Sequence, residues 1–463
     1  MTEQLKLKLN DSKATRWGAL VIVAFTMMAA YYVNDVVAPL KTMLETDLAW
    51  SSTDFGFFTG GYSFLNVFFL MLIWGGLILD RFGIRFTGKL ATILMVGGTA
   101  LEYYAMTGLA GADATLFGIN EIFGYKTGVF VAFAGYSIFG VGAEVAGITV
   151  SKIIAKWFKG KELATAMGVQ VALARIGSQA GYAVAIPLAR AFGISTPVLL
   201  GLVLLLGGMI AFFVFAVMDK KLDKQMEAAA IAAGTEDEEE KFSFKDVKNI
   251  LVNPGFWLIA LLCVLFYSCV FPFQKFASEL MIIKYGINEN VAGTFAGLPA
   301  LGALILTPVF GGFIDKRGKS ASIMLLGSAM LICVHFIYAI PDINYWLVAI
   351  VLMIILGIAF SLVPSAMWPA VAKIFPVSQL GTAYALIFFI QNIGLWGIPT
   401  LIGWVLDAYC ISGKKPDGTN MYDYTVPMCI FTGIACLSLI VALLLQKADK
   451  KYGYKLEEPN IQK

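Results

Sequence analysis

GGLILDRFGIR (Gly75–Arg85) returns late in the chain as GGFIDKRGKS (Gly311–Ser320): two glycines, an aspartate, basic residues and another glycine, in one order. Each copy follows one long apolar run and precedes another, so each is a tight connection between two such segments. Glycine permits the sharp turn and close helix approach such a connection needs. An aspartate at a helix end can meet the positive N-terminus of a neighbouring helix. A second echo follows in the same order: KWFKGKELATA (Lys156–Ala166) recurs as KIFPVSQLGTA (Lys373–Ala383), offset by 217 residues. Two separate echoes in register predict a duplicated unit.

The composition says what solvent that unit meets. Of 463 residues, 59% are hydrophobic and 14% charged, with a mean hydropathy of +0.78. Soluble domains carry about 25% charged residues, so the chain belongs in a bilayer. The net charge of +3 is small, and the basic residues sit in short loops and not along one face, which excludes nucleic acid as a partner. Cys263, Cys269, Cys333, Cys410, Cys429 and Cys436 show no metal-ligand spacing and read as small packing residues. The start, MTEQLKLKLNDSKATRW, has no signal-peptide architecture, so the first apolar run is expected to remain as a span.

A spanning helix needs about 20 mostly apolar residues. Twelve such runs lie at 17–40, 54–79, 86–107, 127–152, 163–190, 197–218, 255–283, 291–314, 320–340, 345–371, 381–407 and 425–446. The alternating segments of about ten residues that mark a transmembrane β-barrel are absent. With both termini cytoplasmic, 26 of the 34 basic residues fall in cytoplasmic segments and 6 in external ones, which fixes the orientation. The charged stretch holding TEDEEEKFSFKDVK splits the spans six and six. The expectation is an all-α membrane protein with twelve transmembrane helices in two pseudo-symmetric six-helix bundles. Its parts are a cytoplasmic tail (1–16), a first bundle (17–218), a cytoplasmic linker (219–250), a second bundle (251–447) and a C-terminal tail (448–463). Duplicated units of this kind build many secondary transporters.

The first echo resembles the signature loop of the major facilitator superfamily, with Gly76, Asp80, Arg81, Gly83 and Arg85 in place. The second copy keeps Gly311, Asp315, Lys316 and Gly318, with Lys319 one place early. The resemblance implies that these loops latch the outward-facing state against the start of span 11, near Ser378-Gln379-Leu380, and do not touch substrate.

Between Ala143 and Ser178 a helical hairpin, AEVAGITVSKIIAKWFKGKELATAMGVQVALARIGS, carries one acid, Glu144, and one guanidinium, Arg175, among its apolar flanks. Both lie ~22 Å from the Lys159-Gly160 turn at 1.5 Å per residue, near the bilayer midplane. A charge there costs at least about 2.5–3.5 kcal/mol on insertion scales. Either the two brace each other, or they face a cavity and hold opposite ends of a zwitterion. The repeat favours the second: the equivalents in the other half are Ser361 and Asn392, so the charges are one-sided, as an asymmetric ligand requires.

Further polar residues inside spans are weaker candidates for the same site: Asp35 in span 1, Tyr62 and Asn66 on one face of span 2, Lys275 in span 7, and Gln391, Asn392 and Trp396 on span 11. Asp35 suits substrate, a proton or an external gate contact alike. His335, the one histidine, falls on a peripheral span and is not expected to relay protons. No phosphate-cradling loop, nucleophile–base set or metal cluster is present, so an enzyme is not expected and no cofactor is implied.

The patches GAE before WFKGKE, MG-x-Q-x-x-x-A-R-I-G-S after it, YSFLNV, FPF, WPAVAKIFPVSQLGTAY and IQNIGL narrow the resemblance to the lysosomal dipeptide uniporters of animals within that superfamily. That resemblance implies a dipeptide substrate, with Glu144 on its amino end and Arg175 on its carboxylate, handled by a monomer in contact with lipid. The tail shows no dileucine-type sorting signal, and the one glycosylation sequon, Asn10-Asp11-Ser12, is on the cytoplasmic side, so an inner membrane is the expected location. Uniport and proton coupling both remain open, as does a proton-coupled carrier of organic anions such as sugar acids.

Overall fold

The computed structural model describes residues 8–111, 114–158, 161–233 and 244–460; the Lys159-Gly160 turn and the acidic run at 235–240 fall outside them. In lipid, a segment satisfies its own backbone N–H and C=O groups only as a helix, and the apolar runs are helical. The first half comprises α1 (Lys13–Val36), α2 (Lys41–Asp47), α3 (Ser52–Phe68), α4 (Met71–Thr107), α5 (Thr127–Trp157), α6 (Leu163–Phe192) and α7 (Thr196–Ala233). A short α8 (Phe244–Val252) leads into the second half: α9 (Pro254–Tyr285), α10 (Glu289–Ala296), α11 (Leu298–Arg317), α12 (Ser320–Ala339), α13 (Trp346–Ile374), α14 (Val377–Tyr409) and α15 (Thr425–Tyr452). Two antiparallel hairpins pair β1 (Glu121–Ile122) with β2 (Tyr125–Lys126) and β3 (Ile411–Lys414) with β4 (Asn420–Tyr422).

These elements make twelve crossings. α3 and the first limb of α4 form the second, and the limb of α4 beyond Gly83 forms the third; Gly83, at φ +74°, interrupts the helix inside the first DRFG motif. α10 and α11 together form the eighth. Both described chain ends, the end of α7 and the start of α8 therefore share one end of the bundle, here called basal. α2 and both hairpins lie at the other, distal, end. α7 shows its lipid face in the exposed stripe Val203, Ile210, Val214 and Val217.

Three segments carry detail that the hydropathy pattern does not show. The second span is not one straight helix: it bends by 58° at Phe69–Leu70. There Leu70 takes φ +53°, a left-handed conformation that costs an L-residue about 1–2 kcal/mol. The eighth span is divided at Gly297, with Pro299 opening α11. The linker expected at 219–250 is helical at both ends, because Met218–Ala233 has neither glycine nor proline and is rich in good helix formers.

The two halves interlock distally. α3 and α14 approach so closely that a Cβ at Gly56 would lie 2.4 Å from the Pro399 carbonyl, and one at Gly403 would lie 2.2 Å from that of Ser52. α6 meets α10 in the same way, with Gly293 against the Tyr182 carbonyl. Small residues let backbones touch where lipid offers no hydrophobic drive. Basally, added Cβ atoms at Gly76, Gly83, Gly168, Gly311 and Gly381 meet nothing within 4 Å. The space between the halves thus opens at the basal end and is sealed at the distal end. Gly56→Val should wedge the seal apart, at a cost to this packing of about 1–3 kcal/mol. Spin labels at Glu121 and Asp342, both exposed on distal loops of opposite halves, should then report a longer distance than in the wild type.

Candidate functional site

The α5–α6 hairpin places Glu144 and Arg175 in the middle of the first half, but not against each other: among the described residues no ion pair joins them. Glu144 instead accepts a hydrogen bond of 3.0 Å from the Tyr62 hydroxyl on α3. The Arg175 guanidinium lies over two rings, 5.6 Å from the centroid of Tyr31 on α1 and 4.9 Å from that of Phe360 on α13 in the other half. No hydrogen bond or ion pair reaches it among the described residues. An aromatic ring attracts the guanidinium without taking up its N–H donors, which stay available to a carboxylate. Tyr31 is within electrostatic reach of both Glu144 and Arg175.

Asp35 and Lys275 come together, as an inter-half contact. The Lys275 ammonium reaches from α9 to α1, where it lies 3.2 Å from Asp35 Oδ1 and donates to the Asn34 carbonyl at 2.5 Å. Tyr136 of α5 donates to the same carbonyl at 2.7 Å. Asn66 is buried with both amide atoms unpartnered, and Asn392 with its Oδ1 unpartnered, its Nδ2 donating to the Phe388 carbonyl of its own helix. Gln391 accepts from the Cys263 thiol at 3.3 Å. Trp396 packs edge-on against Phe68 at 4.7 Å, across the seam between α14 and α3. His335 is buried between Phe273 and Phe431, its Nε2 3.1 Å from the Cys269 carbonyl.

Sequence reasoning missed the cluster that closes the distal end. Lys41, 1% exposed, donates to Glu45 and to Glu279 of the other half, each at 2.5 Å. Tyr424 also donates to Glu279, Ser52 donates to Glu45, and Lys415 from the β3–β4 hairpin stands 3.6 and 3.7 Å from the two carboxylates. Two ammoniums thus neutralise two carboxylates away from water. Beside them Asp407 of α14 accepts from the backbone N–H groups of Ser52 (3.3 Å) and Thr53 (2.5 Å), so one half caps the positive N-terminus of α3 in the other. Glu279 was visible as an acid inside the expected span 255–283; its partners on α2 and the hairpin lie outside every apolar run.

The two signature loops are unlike in use. Asp80 pairs with Lys152 of its own half at 3.0 Å, and Arg85 with Asp223 at 2.7 Å. Arg81 lies over the Phe82 ring. Asp219, expected as the first linker residue, is buried beneath Lys156 (2.7 Å) and the Trp157 indole N–H (2.9 Å). In the second copy Asp315 accepts from the Asn460 amide at 2.8 Å, Gly318 turns at φ +71° beneath the 457–458 backbone, and Lys316 takes no described partner. Gly76 and Gly83 face open space. Ser378, one of the expected latch partners, has a side chain outside the described residues.

A two-half helical bundle, sealed at one end, with opposite charges left unpaired halfway down, defines a membrane carrier. The family model of the Major Facilitator Superfamily matches residues 20–399 and 286–457, and the chain belongs to that superfamily. It is a multi-pass membrane transporter and not an enzyme. It is 28% identical to the lysosomal dipeptide transporter MFSD1 of Homo sapiens over 457 residues, 96% of this chain and 88% of that one. Among solved structures, the nucleoside transporter NupG superposes with a TM-score of 0.68 at 12% identity, covering 92% of this chain and 98% of that one. The peptide transporter POT superposes at 0.66 and 14%, covering 95% of each.

Breaking a buried ion pair by removing one partner costs about 3–5 kcal/mol. Lys41→Met should therefore abolish the distal seal, lowering the thermal unfolding midpoint in detergent and lengthening the Glu121–Asp342 distance. Lys41→Met with Glu45→Gln, which removes one charge of each sign, should recover part of both losses. Equal damage in the single and double variants would rule out an electrostatic seal.

Proposed function

We propose that this transporter carries dipeptides, with Glu144 binding the peptide ammonium and Arg175 its carboxylate. The observation that supports this reading is that the two charges share the mid-depth of the bundle without pairing. Each lacks a counter-charge, and a zwitterion brings one to both. Arg175 offers two parallel N–H groups to a carboxylate, already oriented by Tyr31 and Phe360. Tyr62 orients the Glu144 carboxylate through its hydroxyl. The relatives named as dipeptide transporters match nearly the whole chain.

In this reading transport is alternating access by a monomer. The structure corresponds to the state open at the basal end, and the reverse state requires the Asp35–Lys275 contact and the Lys41–Glu279 cluster to part. The excess of basic residues puts the basal end, with both termini, in the cytoplasm of a cell whose inner membrane holds the protein. Asp80 and Arg81, which meet no part of the second half among the described residues, would latch when the basal end closes.

Truncating one partner of a buried charge pair costs about 2–5 kcal/mol, so Glu144→Gln and Arg175→Ala should each weaken dipeptide binding about thirtyfold or more. The measurement is ligand-induced thermal stabilisation of the purified protein. A dipeptide should stabilise the wild type, while its N-acetyl and C-amide derivatives should not. N-acetylation should cost nothing further in Glu144→Gln. Stabilisation by sugar acids and not by dipeptides would assign Arg175 to an organic anion instead. Uptake into proteoliposomes with and without a pH gradient separates uniport from proton coupling.

A further inference from the structure

Two tight turns in the distal connection between α4 and α5 carry a residue that such turns disfavour. Leu116 bridges Ile119 across Phe117-Gly118, and β1 pairs with β2 across Phe123-Gly124. Both central residues have positive φ in each turn: +55° and +80° in the first, +52° and +81° in the second. Two-residue turns of this geometry favour Asn-Gly or Asp-Gly, because the left-handed backbone strains other L-residues. The sequence twice puts phenylalanine there. The fold makes little use of either ring, since Phe117 is 94% exposed and Phe123 88%. Two large apolar side chains held out on strained turns, six residues apart, call for a surface that covers them.

The seating of the connection says which surface that is. The Phe123 ring lies 5.9 Å from that of Phe130, one turn into α5, so it stands where α5 enters the bilayer. Tyr125 stacks on Phe57 of α3 at 3.9 Å, and Lys126 donates to the Ala49 carbonyl, which fix the hairpin at this level. Both turns follow α4, whose outward residues Ile93, Leu101 and Tyr104 are exposed along one face up to its distal end. Exposed apolar residues along a spanning helix face lipid, so the turns continue a lipid-facing surface. Charge does not hold them off it: between Ala114 and Thr127 the charged side chains are Glu121 and Lys126, which oppose each other in the hairpin register.

We propose that the Phe117 and Phe123 turns form a membrane-seating wedge, whose rings enter the distal leaflet at the boundary between phospholipid headgroups and acyl chains. Aromatic side chains settle at that depth. The partner is a phospholipid met through its apolar part, so the wedge takes a neutral leaflet as readily as an anionic one. The Tyr125–Phe57 stack and the Lys126 contact pass this hold to the first half, whose distal rim is thereby anchored to the leaflet.

The test uses the full chain in nanodiscs of phosphatidylcholine, with the exposed Cys333, Cys429 and Cys436 replaced by serine. A nitroxide is attached through Phe117→Cys or Phe123→Cys, and its relaxation by dissolved oxygen, which concentrates among acyl chains, is compared with that by a water-soluble nickel chelate. At both positions oxygen should be several-fold the more effective. A label at Asp342, exposed on a distal loop of the other half, should show the reverse. A chelate-dominated signal at either phenylalanine position overturns the proposal. So does a label there that is shielded from both reagents, which would reveal a protein neighbour such as a second copy of the chain. Should a cysteine variant fail to fold, the wild type decides: a phospholipid carrying a diazirine at the glycerol end of its acyl chain should crosslink to residues 116–124. Adducts on the exposed face of α4 with none on 116–124 overturn the wedge.

Discussion

Opposite charges in a low-dielectric bundle attract strongly, and a fold that leaves Glu144 and Arg175 apart must hold them apart. The α5–α6 hairpin does so by giving each a different neighbour: the Tyr62 hydroxyl for the acid, the faces of Tyr31 and Phe360 for the guanidinium. Neither neighbour carries a charge, so neither removes the incentive to bind one. Every other buried ammonium described in the distal half has a carboxylate beside it: Lys41 has Glu45 and Glu279, and Lys275 has Asp35. Arg175, by contrast, has no carboxylate beside it among the described residues.

Above that level the two halves are held by three kinds of contact that differ in how they yield. Glycine-mediated backbone contact between α3 and α14 is short-ranged and is lost within a small separation. The Lys41–Glu45–Glu279–Lys415 cluster resists until water enters, after which its ions are hydrated separately. The Asp407 cap on α3 uses a fixed dipole and a single carboxylate. Their combination makes the distal end either shut or open, with little stability in between, which suits a device that must never be open at both ends.

Much of this was legible in the sequence, and the rest was hidden for identifiable reasons. The twelve crossings, the duplication and the depth of Glu144 and Arg175 follow from hydropathy and helical rise, which are local. The bend at Phe69–Leu70 was not legible, because YSFLNVFFLMLIW carries no glycine or proline at the break. The distal cluster was half legible: Glu279 stands out as an acid in an apolar run, but Lys41, Lys415 and Tyr424 look like loop residues until the fold brings them to it. Asn66 and Gln391 have the polarity of site residues, yet one is buried without a partner and the other is held by Cys263; sequence shows a polar atom, not which way it faces.

The segment Leu456–Asn460 lies across the second signature loop, with Lys319 and Ser320 donating backbone N–H groups to it and Asn460 held at Asp315. Among the described residues the first loop has no such cover. A duplicated protein with identical halves would run equally well in either sense, as a symmetrical hinge does. Here one of the two basal loops is stapled to its own half by Leu456–Asn460. Two loops of similar sequence thus have different surroundings, and the Leu456–Asn460 segment makes one of them a fixed part of its own half.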